Sequence, residues 1–340
     1  MIATESLKSR IIESVKKAQN QRIIFEEIYY NPNTNVGKNE FLFFIKPEIL
    51  VKSDKIRLDK ILELIELKIK EFNFKIHNIK ILSANYLNNY NIIAQHYGII
   101  NKISSKAVDN MSERAKDRFK KIYGKSVNEV NVLGGGEFID RFPNFNAHSL
   151  SCLWQNLDNK KLASGTYCVP IKVDGEIIYV INGFHPKQLN HFTEMGRSIV
   201  VMTLSSDISW EEARHNFIGV TDPVNANIGS LRREILDNKD IFGLLDISQG
   251  QNGIHLSAGP VEALIELKRY NSNFTNNDLK EFSDFSFGKI LIEKFEKQFD
   301  DIVNNNDFIV KGKSISIFDL TEEKNSDEAI DLLEQIIPLS

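Results

Sequence analysis

Apolar residues recur every three to four positions near the start of the chain. Leu7, Ile11, Ile12, Val15 and Ala18 share one face, and this spacing predicts a helix over 5–30. Tyr30–Asn39 reads as a turn-rich linker. The run Phe41–Ile45 predicts a buried strand, ended at Lys46-Pro47 because proline removes the donor that central pairing needs. Ile56–Glu71 carries Leu58, Ile61, Leu62, Ile65 and Ile69 on one side, the pattern of an amphipathic helix. His77–Ala84 predicts a strand and Leu87–Gly98 a helix.

The pattern changes from about residue 105. A charged helix, Ser112–Tyr123, leads into Gly134-Gly135-Gly136. Tyr167–Ile181 predicts a hairpin, with Asp174-Gly175 as its two-residue turn. Ser198–Leu204 predicts a second buried strand and Trp210–Phe217 a helix. After Tyr270 come an Asn-rich break, a helix over Phe287–Val303, a short hairpin-like stretch and a last helix, Asp327–Ile337. Strands alternating with helices in the first and third quarters predict α/β or α+β layering, with helices packed on one sheet.

Composition narrows the class. The chain has 340 residues, 42% hydrophobic and 26% charged, which excludes a disordered or rod-like chain. That length suggests about two domains. No apolar run reaches the roughly 18 residues of a membrane helix. The charged N-terminus lacks a signal core, so a cytoplasmic location is expected. The net charge of −4 offers no basic excess for non-specific nucleic-acid binding. Asparagine makes up about one residue in ten, read as a compositional bias that marks loops such as Asn304–Asn306. Cys152 and Cys168 are too few for a disulfide scaffold or an all-cysteine zinc site and are expected reduced and buried.

Three segments carry candidate chemistry. The first is Phe44-Ile45-Lys46-Pro47-Glu48, a lysine at the end of a buried strand. The second is Gly219-Val220-Thr221-Asp222-Pro223, with Arg232 nine residues after Pro223. The third is Asn252-Gly253-Ile254-His255-Leu256-Ser257-Ala258-Gly259-Pro260, with Glu262 and Glu266 on a following helix. Together they describe a phosphate site. Lys46 and Arg232 supply cations, and arginine grips two oxygens at once. Thr221, Ser257 and Asn252 supply neutral donors, and His255 an imidazole nucleophile available near neutral pH. Glu266 reaches His255 only if the chain reverses between them, and Ala258-Gly259-Pro260 provides that turn.

In this order and spacing the chain resembles the nucleoside diphosphate kinase family, over about 39–104 and 194–270. That family has a strand ending in Lys-Pro-Asp/Glu, then Gly-x-Thr-Asn-Pro, an arginine, and Asn-x-x-His-Gly-Ser-Asp before a helix. Lys46, His96-Tyr97, Thr221, Arg232, Asn252, His255, Ser257 and Glu266 stand at the matching positions. The resemblance implies a ferredoxin-like sandwich interrupted by a large insertion. It implies ping-pong transfer of the ATP γ-phosphoryl group to a nucleoside diphosphate through phosphohistidine at His255. Lys46, Arg232 and Thr221 would hold the phosphates and Glu266 the histidine ring. Tyr97 and Asn252 would touch phosphate or ribose, and Mg²⁺ would ride on the nucleotide phosphates. The implied organisation is an N-terminal helical extension over 1–38, the split core, an inserted subdomain over 105–193 and a C-terminal extension over 271–340.

The chain departs from the pattern at Leu256 and Ala258, which replace the family's glycine and aspartate. The family's second phosphate-binding arginine falls on His215; Arg214, one residue away, is a phosphate-binding candidate if the helix end shifts by one residue. About ten extra residues lie between Arg232 and Asn252. The insertion stands where the family caps the base, so an acceptor other than a nucleotide, for phosphoryl or nucleotidyl transfer, is an alternative. A non-catalytic nucleotide-binding protein is another. A homodimer is expected in place of the family's larger oligomers, and neither nucleic acid nor membrane is expected as a partner. The triple glycine reads as a flexible turn, since it lacks Walker or dinucleotide spacing. His185 and His191 are candidates for a metal pair or for lining an active-site lid.

Overall fold

The computed structural model describes residues 5–20, 22–32, 36–163, 165–310 and 312–337. Part of the expected Tyr30–Asn39 linker, 33–35, lies outside the described residues, as does the start of the chain, 1–4. The chain divides into two compact units, Met1–Tyr86 with Met195–Ser340, and Leu87–Glu194. Among the described residues no helix is long and apolar enough to cross a membrane.

With strands numbered along the chain, the first unit holds β1 (Phe25–Tyr30), β2 (Asn39–Ile45), β3 (Lys75–Ser83), β8 (Ser198–Ser206) and β9 (Ile254–Leu256). They form an antiparallel sheet in the order β1-β3-β8-β2-β9. The connection from β2 to β3 is the helix Leu58–Glu71, and the helix Leu231–Asp237 lies between β8 and β9. Alternation along β2 sorts the two faces. Phe41, Phe43 and Ile45 join Val200, Met202, Ile254 and Leu256 in a core covered by Leu7, Ile11, Ile61, Ile65, Leu231 and Ile235 of three helices. Phe44 points the other way, stacked on Tyr270 of the helix Pro260–Asn271 at 5.6 Å between ring centroids.

The expected helix over 5–30 is corrected. It ends at Ala18, and Phe25–Tyr30 is an edge strand paired with β3. The segment FEEIYY has the aromatic and β-branched content that suits a pleated edge, and only Ile28 of it is buried. The expected helix Phe287–Val303 is two helices, Ser286–Lys294 and Phe299–Val303. The hairpin-like stretch after it is β10 (Asp307–Val310) with β11 (Lys313–Ser316).

The second unit holds a mixed sheet of β4 (Asn131–Gly134), β5 (Lys160–Ala163), β6 (Thr166–Val173) and β7 (Glu176–Ile181), in the order β4-β7-β6-β5. The turn between β6 and β7 has φ of +50° at Asp174 and +87° at Gly175, as a two-residue hairpin turn requires. The glycine triplet is a packed junction, which corrects the expected flexible turn. Gly134 ends β4 and Gly135 begins a helix. A Cβ on Gly134 would lie 2.1 Å from the Ser104 carbonyl oxygen, so the backbones touch where only glycine fits. Cys168 is buried, and burial pushes its thiol up to about 12, whereas Cys152 is exposed, against expectation.

The C-terminal segment is stitched to the first unit through fully buried Asn39. Its amide donates to the Ile208 carbonyl and to Asn325 Oδ1, each at 2.9 Å, and its oxygen accepts from the Ser326 backbone at 2.9 Å. Asn39→Ala strands these groups and is expected to cost roughly 1–3 kcal/mol. Hydrogen exchange should speed up selectively at the start of the helix Ser326–Ile336. An unchanged exchange rate there would show that the asparagine does not anchor it.

Candidate active site

The site grows from the junction of β2 and β9. β2 stops at Pro47, which has no backbone donor and sits at the first position of a short helix, where that lack costs nothing. The Lys46 backbone N–H still donates to the Gly253 carbonyl at 2.8 Å, so β9 enters the sheet beside it. Gly253 turns the chain with φ +81°, and a Cβ there would lie 2.6 Å from Ile49 Cδ1. The Gly253 N–H donates to Glu48 Oε1 at 2.8 Å. Two residues on, His255 pairs with Phe44, and the rings stack at 4.4 Å with 19° between planes. Alternation places Lys46 on the same face of β2 as Phe44, and so on the His255 side of the sheet.

His255 is held by a buried carboxylate. Its Nε2 lies 3.1 Å from Glu266, on the helix Pro260–Asn271. Glu266 is 2% exposed, and Ser257 Oγ donates to it at 2.6 Å. Ser257 is locked in turn, since its Oγ accepts from the Leu42 N–H at 3.1 Å and its own N–H donates to the Leu42 carbonyl at 3.1 Å. Glu262, one turn before Glu266, accepts from the Ala258 N–H at 3.2 Å. Burial first, and the Glu266 charge second, raise Glu262 well above the usual carboxylate range. Two carboxylates in one dry site cannot both ionise cheaply. Glu266 accepts from Ser257 and lies within hydrogen-bond distance of His255.

Lys46 donates to Asn252 Oδ1 at 2.6 Å. The fully buried Asn252 donates through Nδ2 to the Thr221 carbonyl at 2.9 Å, tying the Gly219–Pro223 segment to the same corner. Thr221 itself is exposed. Burial lowers Lys46 to about 8; the Arg232 charge adds to the drop and Glu48 opposes it.

The two arginines both donate to backbone carbonyls. Arg232 is 4% exposed, and its terminal nitrogens donate to the Gly219 carbonyl at 2.7 Å and the Ile254 carbonyl at 3.0 Å. Arg214, on a π-helical turn, donates to the Leu256 carbonyl at 3.2 Å and lies near Glu322 and Glu323. His215 sits 3.2 Å from Glu323. Both arginines are therefore engaged with the outer edge of β9, on either side of His255. A guanidinium bound to backbone carbonyls was invisible to motif spacing, because the pairing depends on where β9 ends the sheet.

Tyr97 lies in the second unit, between the helices Ile92–His96 and Gly98–Ser105, with its ring against His96, His185 and Phe192. The buried His185 bonds to Asn101 Oδ1 at 3.1 Å and Gln188 Oε1 at 3.2 Å, so amides occupy both ring nitrogens. That is the environment of a packed histidine and corrects the metal reading for this residue. Leu256, where the family has glycine, packs into the main core, 1% exposed. Of the extra residues after Arg232, Phe242, Leu244 and Ile247 are buried in that same core.

No family model matches the chain, and no curated protein matches it. Among solved structures, it is similar to a nucleoside diphosphate kinase family protein from Babesia bovis. The identity is 13%, over 74% of this chain and 99% of that one, with a TM-score of 0.32. An NDP kinase from Pyrobaculum aerophilum is 15% identical over 71% of this chain and 99% of that one, also with a TM-score of 0.32. Likeness of that degree carries no weight for activity.

Two outcomes follow from this geometry. Arg232→Met leaves the Gly219 and Ile254 carbonyls without their donor in a buried place, and is expected to cost roughly 3–5 kcal/mol in urea unfolding. A loss under about 1 kcal/mol would place the guanidinium in solvent. For Lys46 the folded value of about 8 lies below the ordinary 10.5. Between those values the unfolded chain holds the extra proton, so this group's contribution to stability rises with pH. From about pH 7 to about pH 9.5, wild type should gain about 1–2 kcal/mol on Lys46→Met. A pH-independent gap would mean that Lys46 keeps its ordinary value.

Proposed function

We propose that the first unit is a nucleotide-dependent phosphotransferase that works through His255, taking the γ-phosphoryl group of ATP and passing it to a nucleoside diphosphate. The observation that carries the proposal is the His255–Glu266–Ser257 relay at the end of a strand pair that also presents Lys46 and Asn252. A carboxylate accepting from Nε2 fixes the tautomer, so the ring's lone pair resides on Nδ1. The strand order β3-β8-β2-β9, with helices in both connections, is that of a ferredoxin-like sandwich, which supports the same reading.

In the proposed reaction, His255 Nδ1 attacks the γ-phosphorus in line and forms an N–P bond. The bond from that phosphorus to the bridging oxygen breaks, and ADP leaves with its electron pair. The terminal oxygen of the acceptor diphosphate then attacks the same phosphorus, and the N–P electrons return to Nδ1. Little covalent activation is needed; positioning and neutralisation of charge dominate such transfers. Glu266 keeps the ring oriented and stabilises the imidazolium as bonding proceeds. Lys46, in its ammonium form, faces phosphate oxygens, and the exposed Thr221 hydroxyl is available to donate to them. Glu48 and Glu262 accept from backbone N–H groups and Glu266 from His255 and Ser257, so Mg²⁺ belongs with the nucleotide it accompanies. It supplies charge neutralisation on the phosphates.

One observation favours a second reading. With Arg214 and Arg232 both donating to β9 carbonyls, fewer guanidinium N–H groups are left for phosphate, as in a protein that binds a nucleotide without turning it over.

Incubation with γ-labelled ATP and Mg²⁺ separates the two. Acid-labile label is expected on wild type, none on His255→Ala, and discharge by added ADP. Glu266→Gln should slow labelling by about 10²-fold or more, because a neutral amide no longer fixes the ring's proton. An unlabelled wild type that still binds ATP would leave the binding reading.

A further inference from the structure

We propose that the second unit carries a binding site of its own for a polyphosphate-bearing small molecule, in the concave face between the helix Glu113–Tyr123 and β5. The helix buries Ala115 and Phe119, and its opposite side bears Arg114, Asp117, Arg118 and Lys121 at intervals of three and four residues. Their side chains therefore line up along one exposed stripe. Lys161 of β5 lines the same cavity of about 680 Å³, together with Ala163 and the buried Leu162. The volume falls within the roughly 300–1,000 Å³ of ligand pockets.

The charge pattern is what separates this face from an ordinary solvated helix side. Neighbouring cations are neutralised locally, Lys116 by Glu113 at 2.9 Å and Lys160 by Asp158 at 2.5 Å. No such pair, and no hydrogen bond to a side chain, engages Arg114, Arg118, Lys121 or Lys161 among the described residues. Against the single Asp117 they leave three net positive charges around one hollow, in a chain whose overall charge is −4. Arg114 and Arg118 are like charges at i and i+4, an arrangement that weakens a helix unless an anion joins them. Two guanidinium forks beside two ammonium groups match the oxygens of a di- or triphosphate. Asp117 is suited to accept from a hydroxyl on the same ligand. Nucleic acid fits less well: the lining has no aromatic ring to stack on a base, and four cations round a hollow do not make the long stripe that a polymer backbone follows.

The test uses the full chain and calorimetric titration with inorganic tripolyphosphate, in wild type, Arg118→Ala/Lys161→Ala and Lys46→Met. The substituted residues of the double variant are exposed, so its thermal unfolding should match wild type. The expected result is saturable binding that weakens by at least about tenfold in the double variant, persists in Lys46→Met, and falls with added salt. Binding lost in Lys46→Met but unchanged in the double variant would assign the anion to the first unit and overturn the proposal. No binding in wild type would overturn it too. A single-stranded oligonucleotide that binds through Arg118 and Lys161 where tripolyphosphate does not would replace it with a nucleic-acid surface.

Discussion

The short strand β9 is the constraint on which the site depends. It has three residues and, among the described residues, pairs with β2 alone and leaves its other edge without a strand. A strand so short gains little from its own ladder, and its outward carbonyls at Ile254 and Leu256 require donors. Arg232 and Arg214 supply them from two different elements. Charged donors to a carbonyl are worth about 1.5–3 kcal/mol each. The arginines also block the edge against pairing with another strand. His255 lies between the two gripped carbonyls, with Phe44 stacked on its ring. The precision of the histidine thus comes from its backbone neighbours as much as from Glu266.

Burial sets the electrostatics of the same corner. Lys46 is pushed down and Glu262 up by the same cause, loss of water around a charge. The consequence differs. A lysine near 8 remains mostly cationic at neutral pH, while a raised Glu262 sits one helical turn from the Glu266 carboxylate that orients His255. Ser257, bonded to both Glu266 and β2, links the carboxylate to the sheet. Charge, proton and backbone are in this way settled by one packed region of few residues.

Much of this region was legible from residue order. Lys46 before proline, Asn252 and His255 three apart, and Glu266 beyond a Gly-Pro turn come together as local chain geometry requires. The strands β2, β3, β6, β7 and β8 were legible because buried runs and a tight turn leave strong periodic signals. What escaped depends on tertiary partners. The edge strand β1 follows a helix without apolar alternation strong enough to mark a switch of period. β9 is too short to show a period at all. The carbonyl partners of the arginines escaped for a related reason: spacing can bring a guanidinium near a site, but the carbonyl it meets is decided by where the sheet ends.

The C-terminal residues matter to the site for a physical reason. Glu323 donates its N–H to the Ala258 carbonyl at 3.0 Å, and a Cβ on Gly259 would lie 2.5 Å from the Thr321 carbonyl oxygen. The turn that brings Glu266 back to His255 is therefore packed against this segment. The acidic side chains of Glu322 and Glu323 lie beside Arg214 and His215, the two positions at which the sequence left the second phosphate-binding residue undecided. A carboxylate near Arg214 balances the charge of a guanidinium whose bond goes to Leu256, so the arginine is stable as an edge clamp without any anion from outside. Residues beyond the apparent core thus complete both the turn and the charge balance around His255. Cutting the chain at the end of the Pro260–Asn271 helix would remove part of what fixes the histidine.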